Sequence, residues 1–80
     1  MRVFYSKTSL KHLAKLGKNI QENIVTAIDG LPDRGDIQKM RGQSLKNVFR
    51  LRVGRYRILY IRETEVTRIL DIDTRGDIYK

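Results

Sequence analysis

The chain has 80 residues, with 17 Lys+Arg against 9 Asp+Glu, and its formal net charge is +8. This length favours a single domain, residues 1–80, with a thin core, because so short a chain buries only about 60% of its unfolded surface. The absence of cysteine excludes disulfides, thiolate chemistry and Cys₂His₂ zinc sites, and a single histidine cannot build a histidine-rich metal site. The charge favours an anionic partner: nucleic acid, an anionic membrane surface or an acidic protein.

Apolar segments are short throughout the sequence. No apolar run follows Met1-Arg2, so no signal peptide is expected. The longest apolar stretches have about four residues, whereas a membrane-spanning helix needs roughly 20. Without disulfides or an apolar span, the sequence predicts a soluble, cytoplasmic protein with no membrane partner.

The first sixteen residues predict a strand followed by a helix. The segment Met1–Tyr5 is consistent with an opening strand. Ser6 or Thr8 can cap the helix that follows by accepting a hydrogen bond from a backbone N–H. The apolar residues of this helix have the i, i+3, i+4 spacing of one helix face, and they are Leu10, Leu13 and Ala14. We expect this face to need a partner surface.

A second helix is predicted after Gly17. Its apolar residues form one stripe, namely Ile20, Ile24, Ala27, Ile28 and Leu31. Pro32 ends it, because proline cannot continue a helix. The segment Asp33–Ser44 is polar and contains two glycines, so it is expected to be a loop.

The pattern then changes to the two-residue period of β-strands. Two alternating segments, Val48–Val53 and Tyr56–Ile61, flank Gly54-Arg55, which is typical of a type II′ hairpin turn. A third strand is expected at about Val66–Ile72 after a short polar turn. The predicted fold is therefore α+β: an N-terminal strand, a helical hairpin and a C-terminal antiparallel sheet, in the order β-α-α-β-β-β.

This hairpin separates apolar from basic side chains. One face carries the predicted core residues Phe49, Leu51, Val53, Tyr56, Ile58 and Tyr60, and the other carries Arg50, Arg52 and Arg57. No Asp or Glu lies between Arg41 and Arg62, so the arginines are expected to be without a neutralising acid. Guanidinium groups bind phosphate bidentately, which favours an anion-binding sheet. The alternative is a solvated outer face, and the pattern does not separate RNA from DNA or from an acidic peptide.

Three other polar residues are candidates for a role in the site or at the surface. Arg75 and Tyr79 are expected to emerge beside the hairpin, where cations would favour the phenolate form of the tyrosine and make it a proton acceptor. A packing role for Tyr79 stays open. His12 is flanked by Lys11 and Lys15 and is predicted to lie at the surface without an acid–base role.

Three segments together resemble a known family. The run Met40–Gly42, the hairpin Val48–Tyr60 and the ending Ile72–Lys80 are similar to the RelE/ParE superfamily of toxins from type II toxin–antitoxin systems, and the leucines of the first helix also fit. The resemblance implies a RelE-like fold and the RelE branch. That branch consists of ribosome-dependent mRNA interferases, metal-independent endoribonucleases that need no cofactor and use the RNA 2′-hydroxyl as nucleophile.

The resemblance also implies a role for each matching residue. Arg50 and Arg52 match the basic pair that stabilises the scissile phosphate, and Arg57 would clamp it. Tyr79 would be the general base, and Arg75 would donate a proton to the leaving oxygen. Further RNA contacts are expected from Arg41, Lys46 and Arg55.

Two departures from the family pattern leave alternatives open. Many relatives have glycine and histidine where this chain has Asp73 and Thr74, and the chain ends one residue after Tyr79. A ParE-like, non-enzymatic DNA gyrase inhibitor and a degenerate antitoxin-binding homologue are the alternatives. The expected partners are an acidic antitoxin, mRNA on the ribosome, and operator DNA only through the antitoxin.

Overall fold

All the strands belong to one mixed sheet. A computed structural model of the protein describes residues 2–31, 33–41 and 47–73. Its elements, in chain order, are β1 (Arg2–Tyr5), α1 (Lys7–Ala14), α2 (Lys18–Asp29), β2 (Asp36–Lys39), β3 (Val48–Val53), β4 (Tyr56–Glu63) and β5 (Val66–Asp73). The spatial order is β1-β5-β4-β3-β2. β1 is parallel to β5, and the other neighbours are antiparallel. The predicted α+β class is confirmed.

The strand β2 corrects the prediction of a loop over residues 33–44. It pairs antiparallel with β3, with Ile37 opposite Leu51. Just before it, Gly35 has a φ of 115°, and a Cβ there would lie 2.6 Å from Leu51 Cδ1. Only glycine fits this close approach without strain. Ile37 is the only apolar residue of the strand, so the sequence shows no alternation that predicts it.

Ser6 begins α1 and joins it to the sheet. Its hydroxyl oxygen accepts a hydrogen bond from the Ser9 backbone N–H at 3.0 Å, which confirms one of the two predicted caps. The same hydroxyl donates to the Leu70 carbonyl at 2.7 Å. The helix start is thereby fixed to β5.

The buried face of α1 differs from the predicted stripe. Leu13 packs against the core, but Leu10 is 51% exposed and Ala14 is exposed as well. Ser9 takes the fully buried position one turn before Leu13. Its hydroxyl donates to the Ser6 carbonyl, and this hydrogen bond lets a polar side chain take a buried position for which the pattern predicted Leu10.

The predicted stripe of α2 is confirmed, and it covers one face of the sheet. All five of its residues belong to the core or pack against it. The hairpin supplies the facing side chains: Leu51, Ile58 and Tyr60 are fully buried, and the other three predicted core residues pack around them. Across the described ranges, no helix is long and apolar enough to cross a membrane.

The turn and one irregularity set the register of the sheet. Val53 pairs with Tyr56 across the turn, and Gly54 has a positive φ of 59° whereas Arg55 does not. This pattern matches the predicted type II′ turn. In β5 the pairing shifts opposite Leu59 and Tyr60, which is a β-bulge. The extra residue lets both Ile69 and Ile72 reach the core, although they are three positions apart.

Candidate functional site

The sheet face opposite the helices carries Arg50, Arg52 and Arg57, and we call it the arginine face. Arg52 and Arg57 are directly opposite each other on β3 and β4, and Arg50 is opposite Leu59. Since cross-strand partners share a face, the predicted grouping of the three arginines is confirmed. Two like charges directly opposed would destabilise the hairpin unless other charges lie nearby.

Two aspartates supply those charges, which corrects the expectation that the hairpin arginines lack a neutralising acid. The cross-strand partners form one row in the order Asp36, Arg52, Arg57, Asp73. Asp36 Oδ1 lies 3.4 Å from Arg50 Nη2, and its Oδ2 lies 4.0 Å from Arg52 Nη1. Asp36 was missed because it comes from the unpredicted strand β2, outside the acid-free segment, whereas Asp73 was expected to lie near the site.

A cavity of about 230 Å³ opens beside this row, and we call it the arginine cavity. It is lined by Gln38, Lys39, Met40, Arg41, Arg50 and Arg57. The cavity therefore brings together three predicted site residues, and none of its lining residues within the described part of the chain is acidic. Gln38 and Lys39 were missed, since they belong to the unpredicted strand β2; the only signal for them was their proximity in sequence to Arg41.

Arg50 is held more tightly than its neighbour. Its side chain is 12% exposed, against 53% for Arg52. Its Nε is buried and has no hydrogen-bond partner among the described residues. An unsatisfied buried donor costs about 1–3 kcal/mol, and the 3.4 Å contact of Nη2 with Asp36 is a long one. The guanidinium therefore keeps capacity for another acceptor.

The remaining predicted residues divide into two groups. Arg52 and Arg55 are exposed and do not line the arginine cavity. Arg55 lies at the turn tip, as expected. Lys46, Arg75 and Tyr79 lie outside the described residues, so their roles stay predictions.

His12 was predicted to lie at the surface, but it is half-buried and makes contacts with β5. Its Nδ1 lies 2.7 Å from Asp71 Oδ1 and 3.2 Å from the Ile72 carbonyl oxygen. Both atoms are acceptors, so Nδ1 carries the hydrogen and donates it. β1 pairs with β5 only as far as Ile69. Beyond that point, His12 of α1 and the N-cap residue Ser6 supply hydrogen-bond partners to β5.

Comparison with known proteins decides the family. The model of a family described as the ParE toxin of type II toxin–antitoxin systems, parDE, matches residues 3–79. The chain belongs to this toxin family. The predicted resemblance to the RelE/ParE superfamily is thus confirmed. The comparison with curated proteins found no match.

Solved structures show the same fold for the toxin. A chain of the toxin–antitoxin complex RelBE2 from Mycobacterium tuberculosis is 30% identical, with a TM-score of 0.78 over 95% of this chain and 92% of that one. A chain of the RelB–RelE antitoxin–toxin complex from Methanococcus jannaschii is 27% identical, with a TM-score of 0.77 over 95% and 94%. The intact E. coli RelBE complex, at 16% identity, has a TM-score of 0.70 over 89% and 92%, and that likeness is one of fold alone.

Proposed function

We propose that this toxin is an mRNA interferase that acts in the cytoplasm on messenger RNA held by the ribosome. The observation that carries the proposal is the convergence of Arg41, Arg50 and Arg57 on one cavity, which no acidic residue of the ranges 2–31, 33–41 and 47–73 lines. Fixed guanidinium groups in a shallow cavity suit a phosphate diester, which carries a negative charge and offers several acceptor oxygens. A ribosome would hold the substrate in register for so shallow a site.

The reaction is a transfer within the RNA and needs no metal. The 2′-oxygen attacks the adjacent phosphorus and the bond to the 5′-oxygen breaks, giving a 2′,3′-cyclic phosphate and a 5′-hydroxyl. Negative charge grows on the phosphate oxygens during attack, and Arg50 and Arg57 stabilise it electrostatically, with Arg52 beside them. Tyr79 accepts the 2′-hydroxyl proton, and Arg75 donates to the leaving oxygen; these two roles follow from the family resemblance.

The test is induced expression followed by primer extension on a translated message. Arg50→Gln, Arg57→Gln and Tyr79→Phe are compared with the wild type. Lys18→Gln is the matched control, because it also removes one positive charge but lies exposed on α2, on the helix side of the sheet. Removing one preorganised donor costs about 100-fold or more in rate. We expect in-frame breaks in the wild type and the control, and a loss of breaks of at least that size in the other three.

A second candidate function is favoured by the family match itself. The matching family is named for ParE, and the resemblance attributes non-enzymatic inhibition of DNA gyrase to that branch. Growth arrest without message cleavage, together with loss of supercoiling by purified gyrase in the presence of the toxin, would replace the interferase proposal with this one. No growth arrest on expression would indicate a degenerate homologue that only binds an antitoxin.

We also propose that an acidic antitoxin binds this chain. The similar Mycobacterium and Methanococcus structures were solved as toxin–antitoxin complexes. Here the net charge is +8, and Phe4 and Leu10 are 44% and 51% exposed, a combination that suits an acidic, partly disordered chain. Operator DNA would then be bound only through the antitoxin. Purification of the natural operon product without a small acidic protein would contradict this proposal.

A further inference from the structure

We propose that Asp36 is the resident counter-ion of the arginine face, and that an incoming RNA phosphate must displace it from Arg50 and Arg52. The inference rests on the proposed function, because it takes RNA phosphate as the ligand of this face. Asp36 would thus limit the affinity of the toxin for RNA. It would not touch the reacting atoms.

The position of Asp36 is fixed by the sheet. It begins β2, directly opposite Arg52, so its carboxylate lies over the outer side of β3. One oxygen is 3.4 Å from Arg50 Nη2 and the other is 4.0 Å from Arg52 Nη1. A single carboxylate is therefore shared between two guanidinium groups.

The contacts of Asp36 with Arg50 and Arg52 are weak enough for another anion to replace the carboxylate. Both distances are long for charge-assisted hydrogen bonds, and the Asp36 side chain is 57% exposed. Exposed ion pairs of this kind are weak, because water screens them and ordering two side chains costs entropy. Arg50 still has a buried Nε without a partner among the described residues. A phosphate, with more acceptor oxygens, can contact the terminal guanidinium nitrogens of Arg50 and Arg52 at the same time.

A purely structural role for Asp36 makes the opposite prediction. If the carboxylate served to orient Arg50 for its ligand, its removal would leave the guanidinium misplaced and would weaken RNA binding. If it competes with phosphate, its removal strengthens binding. The direction of the change therefore separates the two roles.

The binding experiment uses the full-length toxin and an uncleavable 2′-O-methyl RNA oligonucleotide, followed by fluorescence anisotropy at low salt. Asp36→Asn keeps the shape of the side chain and removes its charge. Glu22→Gln is the matched control, because it changes the net charge equally but lies exposed on α2. We expect Asp36→Asn to bind about five-fold more tightly, the factor for one unit charge a few ångströms away in water. The control should change binding by less than about two-fold, because its charge lies on the helix side of the sheet and Coulomb energy falls with distance. Thermal unfolding checks that both variants are folded.

Inorganic phosphate provides a second readout that is independent of RNA. Titrated into the wild type and Asp36→Asn, it should shift the NMR signals of the Arg50 and Arg52 side chains, at lower phosphate concentration in the variant. Unchanged or weaker binding by Asp36→Asn, an equal gain in Glu22→Gln, or no response of either arginine to RNA and phosphate would overturn the proposal. Tighter binding by Asp36→Asn, with no message cleavage by the wild type, would contradict the interferase function but support the counter-ion role of Asp36.

Discussion

Replacing Tyr60 with phenylalanine is expected to stabilise the protein. Tyr60 is fully buried, its ring stacks on Phe49 with centroids 5.7 Å apart, and its hydroxyl has no hydrogen-bond partner among the described residues. Burying an unsatisfied hydroxyl costs about 1–3 kcal/mol. Tyr60→Phe keeps the stacked ring and removes this cost, so the free energy of unfolding at neutral pH should rise by about 1 kcal/mol or more. For a domain of this size, 1 kcal/mol corresponds to about 4–8 °C in Tm.

The same burial makes stability depend on alkaline pH. Burial raises the pKa of Tyr60, and the nearby Arg62 charge opposes this by lowering it. The folded protein therefore holds the phenol proton more tightly than the unfolded chain does. The protonated phenol of Tyr60 therefore contributes to the free energy of unfolding. This contribution is fully present below the unfolded pKa of about 10 and is lost as pH rises through the higher folded pKa. Burial and Asp29 also raise the pKa of Tyr5, so the alkaline loss should be smaller in Tyr60→Phe but not absent.

Denaturant unfolding at pH 7 and pH 10.5 measures both effects. Tyr56→Phe is the control, because it removes a hydroxyl from a half-buried position on the same strand. If Tyr60→Phe lowered the free energy of unfolding at pH 7 by about 1 kcal/mol, the hydroxyl would have to be satisfied by water or by a residue outside the described ranges. An alkaline loss equal to that of the wild type would refute the role of Tyr60 in it.

Three further substitutions test how the helices and β2 are held. Ser6→Ala should lower the free energy of unfolding by about 1–2 kcal/mol, because it removes both the N-cap and a hydrogen bond to β5; Thr8→Ala, measured by the same denaturant titration, should change it by less than about 0.5 kcal/mol. Gly35→Ala should lower Tm by at least about 4 °C, because its positive φ and the 2.6 Å approach to Leu51 admit no Cβ; an unchanged Tm would show that β2 shifts freely. His12→Gln should lower the free energy of unfolding by about 1 kcal/mol in a denaturant titration. His12→Asn should retain the contact with β5, because its amide nitrogen lies near the position of Nδ1. Equal losses in both variants would indicate that ring packing, and not the hydrogen bond, holds α1.

Local pattern was enough for the elements that alternate or repeat over many residues. The apolar stripe of α2 and the register around Gly54-Arg55 could be predicted because each signal lies within one continuous segment. β2 could not, since Ile37 is its only apolar residue and pairing with β3 decides its conformation. The bulge at the middle of β5 could not be predicted for the same reason. It brings Ile69 and Ile72, three positions apart, to the same face, and this depends on the pairing with β4.

The candidate site shows the same division between local and distant information. Alternation placed Arg50, Arg52 and Arg57 on one face, but the acids that share it arrive through strand pairing, from Asp36 and Asp73. The sequence left two interpretations of this face open, an anion-binding sheet and a solvated outer surface. The positions of the acids support a different interpretation in each part of the face.

Near the turn, the two central arginines are flanked by an acid on each side, which is the arrangement expected of a solvated sheet surface. The arginine cavity shares Arg57 with that row and also gathers Lys39, Arg41 and Arg50, and no acid of the described ranges lines it. A polyanion is attracted most where positive charge is most concentrated. We therefore expect a phosphate to bind first at this cavity, where Asp36 on the adjoining strand β2 is the acid that it meets.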